Sequence, residues 1–502
     1  MRPRVRADVA RPADGLGHGD DQRLLHGSSR WVDARRPRTL AAESSGTGAG
    51  STAAPREPAT ACRVAGAARR LRTSPRRWTV VVVDEADAVV VGSGINGLVA
   101  AAELALAGWS VIIVERAPRI GGFIATEERT LPGYLHDTYS SWHLLFVSGP
   151  AHAALGEPLR AHGLTYRTAD SWVAASVADD GRTALVHRDP ERTAAAFAHA
   201  SDGTAYLAAL ARLEANMGAI GGLMGSELRS PALLRHAAAL LRRGRGGLEP
   251  WIRAMATSGR GYTRSTYTGD EVDHLYAPWL LHAGLSPDHA SGAFMIPLLA
   301  AGLHGFGLPV VEGGSGRFLD AFRSLLDSLG VRIDTGAHVE RILVERGRAV
   351  GVVASGRPLR ARRAVLASVT PTALYGALLP KGAVSPRLRA EAARFRYGRG
   401  EMQIHVALSA PLDWRDERLR SVPLVHLSDG SGSTGIACAE AEAGLLPARP
   451  TVVVGQQYLL DPTRVPEGAA ALWLQLQEVP FARGGASPRP CGPARRRPRR
   501  SG

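Results

Sequence analysis

Three glycines within six residues, Gly92, Gly94 and Gly97, separate two apolar runs in DAVVVGSGINGLVAAAELALAGWSVIIVE, residues 87–115. A packed core has no use for such a knot, because glycine weakens helices and strands and buries no side chain. The spacing predicts a strand over Ala88–Val91, a helix over roughly Ile95–Ala107, and a second strand over Ser110–Val114 that ends on Glu115. In that setting each position has a task in holding a dinucleotide. Gly92 permits the tight turn, Gly94 lets the backbone approach a pyrophosphate, and Gly97 lets the helix lie close to the strand. Ser93, Ile95 and Asn96 complete the turn and the first helical residues, whose free N–H groups and partial positive charge suit phosphate. Glu115, twenty-three residues after Gly92, is placed to accept hydrogen bonds from a ribose hydroxyl pair and would repel a 2′-phosphate. Ala101 and Gly108 are expected to keep the packing face of the helix small.

The next residues separate FAD from NAD. ERAPRIGGFIATEE sets Arg116, Gly121-Gly122 and Thr126 in an R-x4-G-G-x3-T pattern. An ordinary NAD dehydrogenase needs no second glycine pair there. With both motifs present, the chain resembles the FAD-dependent oxidoreductases of the phytoene desaturase-like superfamily, which are related in fold to the amine oxidases. PGYLHDTYSSWHLLFVSGP and GLPVVEGGSGRFLDAFRSLLDSLGVRIDTGAHVERILV are similar to the branch called pyridine nucleotide-disulfide oxidoreductase domain-containing protein 2. The resemblance covers about residues 86–481. It implies an α/β fold: a Rossmann-like FAD-binding domain of the two-dinucleotide-motif type, joined to a helix-rich substrate domain. It implies FAD as cofactor, held by Gly92, Ser93, Gly94, Ile95, Asn96, Gly97, Glu115, Arg116, Gly121 and Gly122. A backbone contact to adenine is carried over to Val339, within a segment containing Gly336 and Ile342. The activity implied is dehydrogenation or isomerisation of an apolar, carotenoid- or lipid-like substrate, or of an amine, by hydride transfer to flavin. An NAD-linked dehydrogenase and a truncated, non-catalytic flavoprotein remnant are the alternatives.

Charge narrows the partners. The chain carries 61 basic and 46 acidic residues. Residues 1–80 hold sixteen arginines and seven acids, and residues 482–502 hold seven arginines and no acid, so residues 81–481 net −1. Both basic ends are rich in Pro, Ala, Gly and Ser, a composition that predicts disorder rather than a folded nucleic-acid surface. Lys381 is the sole lysine and is followed by Gly382, which excludes a P-loop. Cys62, Cys438 and Cys491 are far apart, which argues against a disulfide framework or a CxxC pair and for a reducing cytoplasm. No metal site is expected, because the sixteen histidines show no ligand spacing.

The chain reads as a disordered leader, 1–85; a first FAD-binding βαβ part, 86–150; a mainly helical substrate or cap region, 151–310; a second FAD-binding part, 311–380; a mixed α/β region, 381–481; and a basic tail, 482–502. SGRFLDAFRSLLDSLG is an amphipathic helix closed by Gly330, and a hairpin is expected near Arg346-Gly347. The helical region, with FMIPLLAAGLHGFGLPVV, suits an apolar substrate tunnel or a peripheral membrane contact. Asp137 is expected to be structural, and Trp142, His143 and Phe146 to be half-buried loop packing. No catalytic residue is named, since the flavin carries the redox chemistry. The glycine-rich segment with which members of the superfamily end has no counterpart here, and the end reads as a frameshift. Weak FAD retention and slow turnover are the corresponding expectation.

Overall fold

Strand Asp84–Val91 is buried on both faces from Ala88 to Val91, as expected of a central parallel strand. The computed structural model describes residues 84–481 apart from 228, 243 and 244. In it, this strand lies parallel to Arg357–Ala367 on one side and to Val111–Val114 on the other. Val111–Val114 then pairs in parallel with Arg332–Asp334. An antiparallel meander, Val339–Glu345, Arg348–Ala354 and Arg357–Ala367, extends the opposite edge and completes six strands. Its first turn is Arg346-Gly347, both with positive φ, the geometry of a two-residue hairpin.

Helices Ile95–Leu106 and Gly316–Ser328 cover one face of this sheet. Leu98, Phe318, Phe322 and Leu326 pack there on Ala88, Val90 and Ile113. On the other face Val89, Val91 and Val114 meet Val339, Ile342 and Val352 of the meander. Gly108, at φ 82°, follows the end of the first helix; it stops the helix rather than keeping its face small. Gly330, at φ 71°, closes the other helix, and Val331 N–H returns to the Leu326 carbonyl.

The second sheet is six-stranded, in the order 400–408, 470–479, 452–455, 424–427, 172–177 and 183–187. The hairpin Trp172–Val177 and Thr183–His187 lies inside the stretch expected to be mainly helical. It joins the strands of 381–481 through a parallel pairing of Leu424–Leu427 with Ala174–Val177. The regions read as separate therefore share one sheet. Helices Glu271–Tyr276 and Gly292–Phe306 pack on it around Tyr276, Trp279, Leu303, Leu424 and Trp473. The first sheet starts at Asp84, two residues inside the expected leader; the rest of the leader and the tail lie outside the described residues.

Candidate active site

The glycine turn shows three different uses of a missing Cβ. At Gly92, φ is 93°, and a Cβ would stand 2.8 Å from the Ser368 carbonyl oxygen. At Gly97 a Cβ would stand 2.1 Å from the Gly92 oxygen, so the helix can approach the strand only without one. At Gly94 a Cβ would meet nothing within 4 Å. The first two glycines serve the protein's own packing; the third leaves open space at the N-terminus of helix Ile95–Leu106, which has no side-chain cap. That is the donor set and the room that a pyrophosphate requires.

The second glycine pair folds back onto this turn. Gly121 N–H donates to the Ser93 carbonyl at 2.9 Å, and a Cβ on Gly122 would lie 3.6 Å from Gly94 Cα. Both glycines have positive φ. Glu115 sits at the junction, 8% exposed. One carboxylate oxygen accepts from Ser93 N–H and Ser93 Oγ–H at 2.8 and 2.7 Å, and the other accepts from Ala117 N–H at 2.8 Å. Burial pushes its carboxyl up, but the Ala117 and Ser93 donors outweigh that and hold it below the usual range. A carboxylate has about four acceptor positions, so one remains for a ribose hydroxyl. Gly336 and Ala337 N–H donate to the carbonyls of Ala117 and Glu115, which brings the start of strand Val339–Glu345 beside the same turn. Val339 itself is buried in the core there. Arg116 and Asn96 are exposed, and Ile95 is half-buried.

A buried ionic network lies beyond the glycine loop. Asp137 accepts from Thr126 Oγ–H at 2.7 Å, Ser141 Oγ–H at 2.6 Å and Ser315 N–H at 2.7 Å. Arg464 pairs with it at 2.6 Å and with Asp461 at 3.1 Å, and also donates to the Val311 carbonyl. Burial raises the Asp137 carboxyl, while Arg464 and the hydroxyl donors prevail and keep it ionised. Asp137 is structural, and so is Thr126, which also accepts from Gly316 N–H.

One residue past Gly122 a cavity of about 610 Å³ opens. Phe123, 67% exposed, stands at it with Tyr139 and Leu145, and Phe123 meets Tyr139 edge to face. Deeper, Trp142, Trp279, Met295, Leu299 and Trp473 make an apolar wall. Trp142 is thus a cavity residue, whereas His143 and Phe146 pack on Phe318. The polar wall is Glu401, Gln475, Gln477 and His282. Gln475 Nε2–H donates to Glu401 at 2.8 Å, and burial raises the Glu401 carboxyl. Burial also lowers the His282 imidazole to about 4, and its Nε2 lies 3.1 Å from His426 Nε2. Among the described residues the indole N–H groups of Trp142 and Trp473 and the Gln477 amide oxygen have no hydrogen-bond partner.

A dinucleotide cradle leading directly into an aromatic cavity is the layout of a flavoenzyme, and comparison with known proteins agrees. Residues 95–454 match the sequence profile of the flavin containing amine oxidoreductases. The chain belongs to that family. A flavin-containing amine oxidoreductase uses FAD, and the adenylate and pyrophosphate of FAD suit the open side of Gly94. One of the limonene dehydrogenase polypeptides of Castellaniella defragrans is 25% identical over 312 residues, 61% of this chain and 55% of that one. Pyridine nucleotide-disulfide oxidoreductase domain-containing protein 2 of Rattus norvegicus is 27% identical over 441 residues, 80% of this chain and 75% of that one. The chain thus spans about half to three quarters of these relatives. An oxidoreductase from Methanosarcina mazei shares the fold, with a TM-score of 0.50, 17% identity and 78% coverage of both chains.

Of the residues that the resemblance assigns to the cofactor, residues 92–97, Glu115 and Gly121-Gly122 come together at one turn, while Arg116 is exposed beside it and Val339 is in the core; the cavity residues were harder to foresee. Glu401, Gln475 and Gln477 lie on strands that give no motif, and His282 lies in a short turn of helix. Only the alternation of polar and apolar residues in ALWLQLQEV marked Gln475 and Gln477 as sharing a face.

Proposed function

We propose that the chain is an FAD-dependent dehydrogenase of a small substrate with an apolar body and an amine at one end. The observation that carries this reading is the cavity: it opens beside Gly122, is largely aromatic and aliphatic, and among the described residues holds one carboxyl, Glu401, with no arginine or lysine in its wall. FAD, when bound, supplies the two-electron acceptor. Phe123, Trp142, Trp279 and Trp473 surround the apolar body and exclude water. Gln475 fixes the Glu401 carboxyl, and a substrate ammonium supplies a cation to this acid at the cavity wall, which has no ion-pair partner among the described residues.

A wholly apolar, isoprenoid-like substrate is the second reading, favoured by the extent of the apolar wall. Anaerobic mixing of the FAD-loaded chain with aryl- or alkylamines and, separately, with isoprenoid hydrocarbons distinguishes the two. Amines are expected to bleach the visible flavin band, and Glu401→Gln to raise the half-saturating amine concentration about tenfold, equivalent to about 1.4 kcal/mol. Bleaching by hydrocarbons alone, with no response to Glu401→Gln, establishes the second reading instead.

A further inference from the structure

Three successive helices, Met217–Met224, Pro231–Leu241 and Arg245–Ala256, pack side by side in chain order. The first two turn one face inward, where Ile220 and Leu240 are buried. Each of the three leaves large apolar side chains in solvent at helical spacing. These are Met217 and Met224, Leu234 and Leu241, and Ile252 and Met255. Residues seven or three apart share a helix face, so these pairs form stripes. Leu234 is 71% exposed, Met224 63% and Ile252 59%. Isolated exposed leucines need no explanation, but six such residues on adjoining helices do.

Charge identifies what covers them. Residues 217–256 contain six arginines and two glutamates, within a body, 81–481, that nets −1. Arg235 is exposed on the second helix, and Arg229 and Arg242 are exposed at its two ends. Apolar stripes beside arginines are the pattern of helices that lie in the interface of an anionic bilayer. We infer that these three helices dock the protein on an anionic lipid surface, with Met224, Leu234, Ile252 and Met255 entering the headgroup boundary. The third helix packs on Gly292–Phe306 through a Trp251–Phe294 edge contact, and Met295 and Leu299 of that second helix line the cavity. The docked face is therefore one helix away from the proposed site. The inference does not depend on the choice of substrate.

The test is co-sedimentation of the full chain with vesicles of phosphatidylcholine alone and of phosphatidylcholine with phosphatidylserine. Binding is expected to the anionic vesicles only, and to weaken with added salt. The triple variant Leu234→Ser, Ile252→Ser, Met255→Ser leaves every charge in place, including those of the basic ends. It is expected to lose binding about tenfold or more while keeping its melting temperature. Should that variant lose its fold, Arg229→Gln with Arg242→Gln is expected to abolish the preference for anionic vesicles. Undiminished binding by both variants overturns the inference and assigns the attraction to the arginines elsewhere. Failure to bind either vesicle also overturns it, as does self-association of the full chain that the triple variant abolishes without vesicle binding.

Discussion

Gly97 and Gly94 are three residues apart and carry opposite consequences. A Cβ on Gly97 falls 2.1 Å from a backbone oxygen that cannot move without opening the Gly92 turn, whereas one on Gly94 touches nothing. Gly97→Ala is therefore predicted to destabilise the fold by about 1–3 kcal/mol, read as a lower denaturation midpoint even before FAD is added. An unchanged midpoint would show that the helix has room to shift. The glycines were legible in the sequence because a tight turn, a close helix–strand contact and an open helix N-terminus dictate residue type locally, at fixed spacing. Glu115 was legible too, although its carboxylate is largely engaged by Ser93 and Ala117. Glu401 was not: nothing within its own strand announces a carboxyl facing a cavity, and its partner Gln475 lies 74 residues away.

Among the elements, the loop from Thr126 to Ser141, the turn at Val311–Ser315 and the segment Gln457–Arg464 are held together by one arginine. Arg464 and Asp137 are separated by 327 residues, and both are almost completely buried. Removing one partner of such a pair strands the other's charge, so Arg464→Ala is predicted to cost about 3–5 kcal/mol. Urea denaturation would measure it, and a loss below about 1 kcal/mol would mean that water enters to replace the guanidinium. A long-range pair of this kind is invisible to local pattern. The same reason explains the second sheet. Trp172–Val177 is an apolar run among helical patterns, and its parallel partner Leu424–Leu427 lies about 250 residues on. The βαβ unit, the helix capped by Gly330 and the Arg346-Gly347 hairpin are built from neighbours in sequence, and those were legible.

For the whole molecule, buried histidines set the acid limit of stability. Burial holds the His143 and His282 imidazoles at about 4, and burial together with nearby His405 does the same for His136. An unfolded histidine titrates near 6.5. Below that pH the unfolded chain binds protons that the folded chain refuses, so the stability these residues contribute is complete above about pH 6.5. It drains away as pH falls towards 4. Asp137 adds a loss only at still lower pH, because its carboxyl is held below the usual range. Denaturation midpoints should be level above about pH 6.5 and decline from there to about pH 4, and His143→Phe should flatten part of that decline; a level profile throughout would show that these imidazoles protonate in place.

The central claim is that one glycine cradle holds FAD at the entrance to the cavity. Titrating FAD and, separately, FMN into the purified chain, with binding read from flavin fluorescence, tests it most directly in parallel with Gly94→Val. FAD is predicted to bind and FMN, which lacks the adenylate, to bind far more weakly. Gly94→Val is predicted to weaken FAD binding at least tenfold with no change in the melting temperature of the FAD-free protein, because its side chain enters only the space the pyrophosphate would take. Equal FAD affinity in the variant and the parent would contradict the claim.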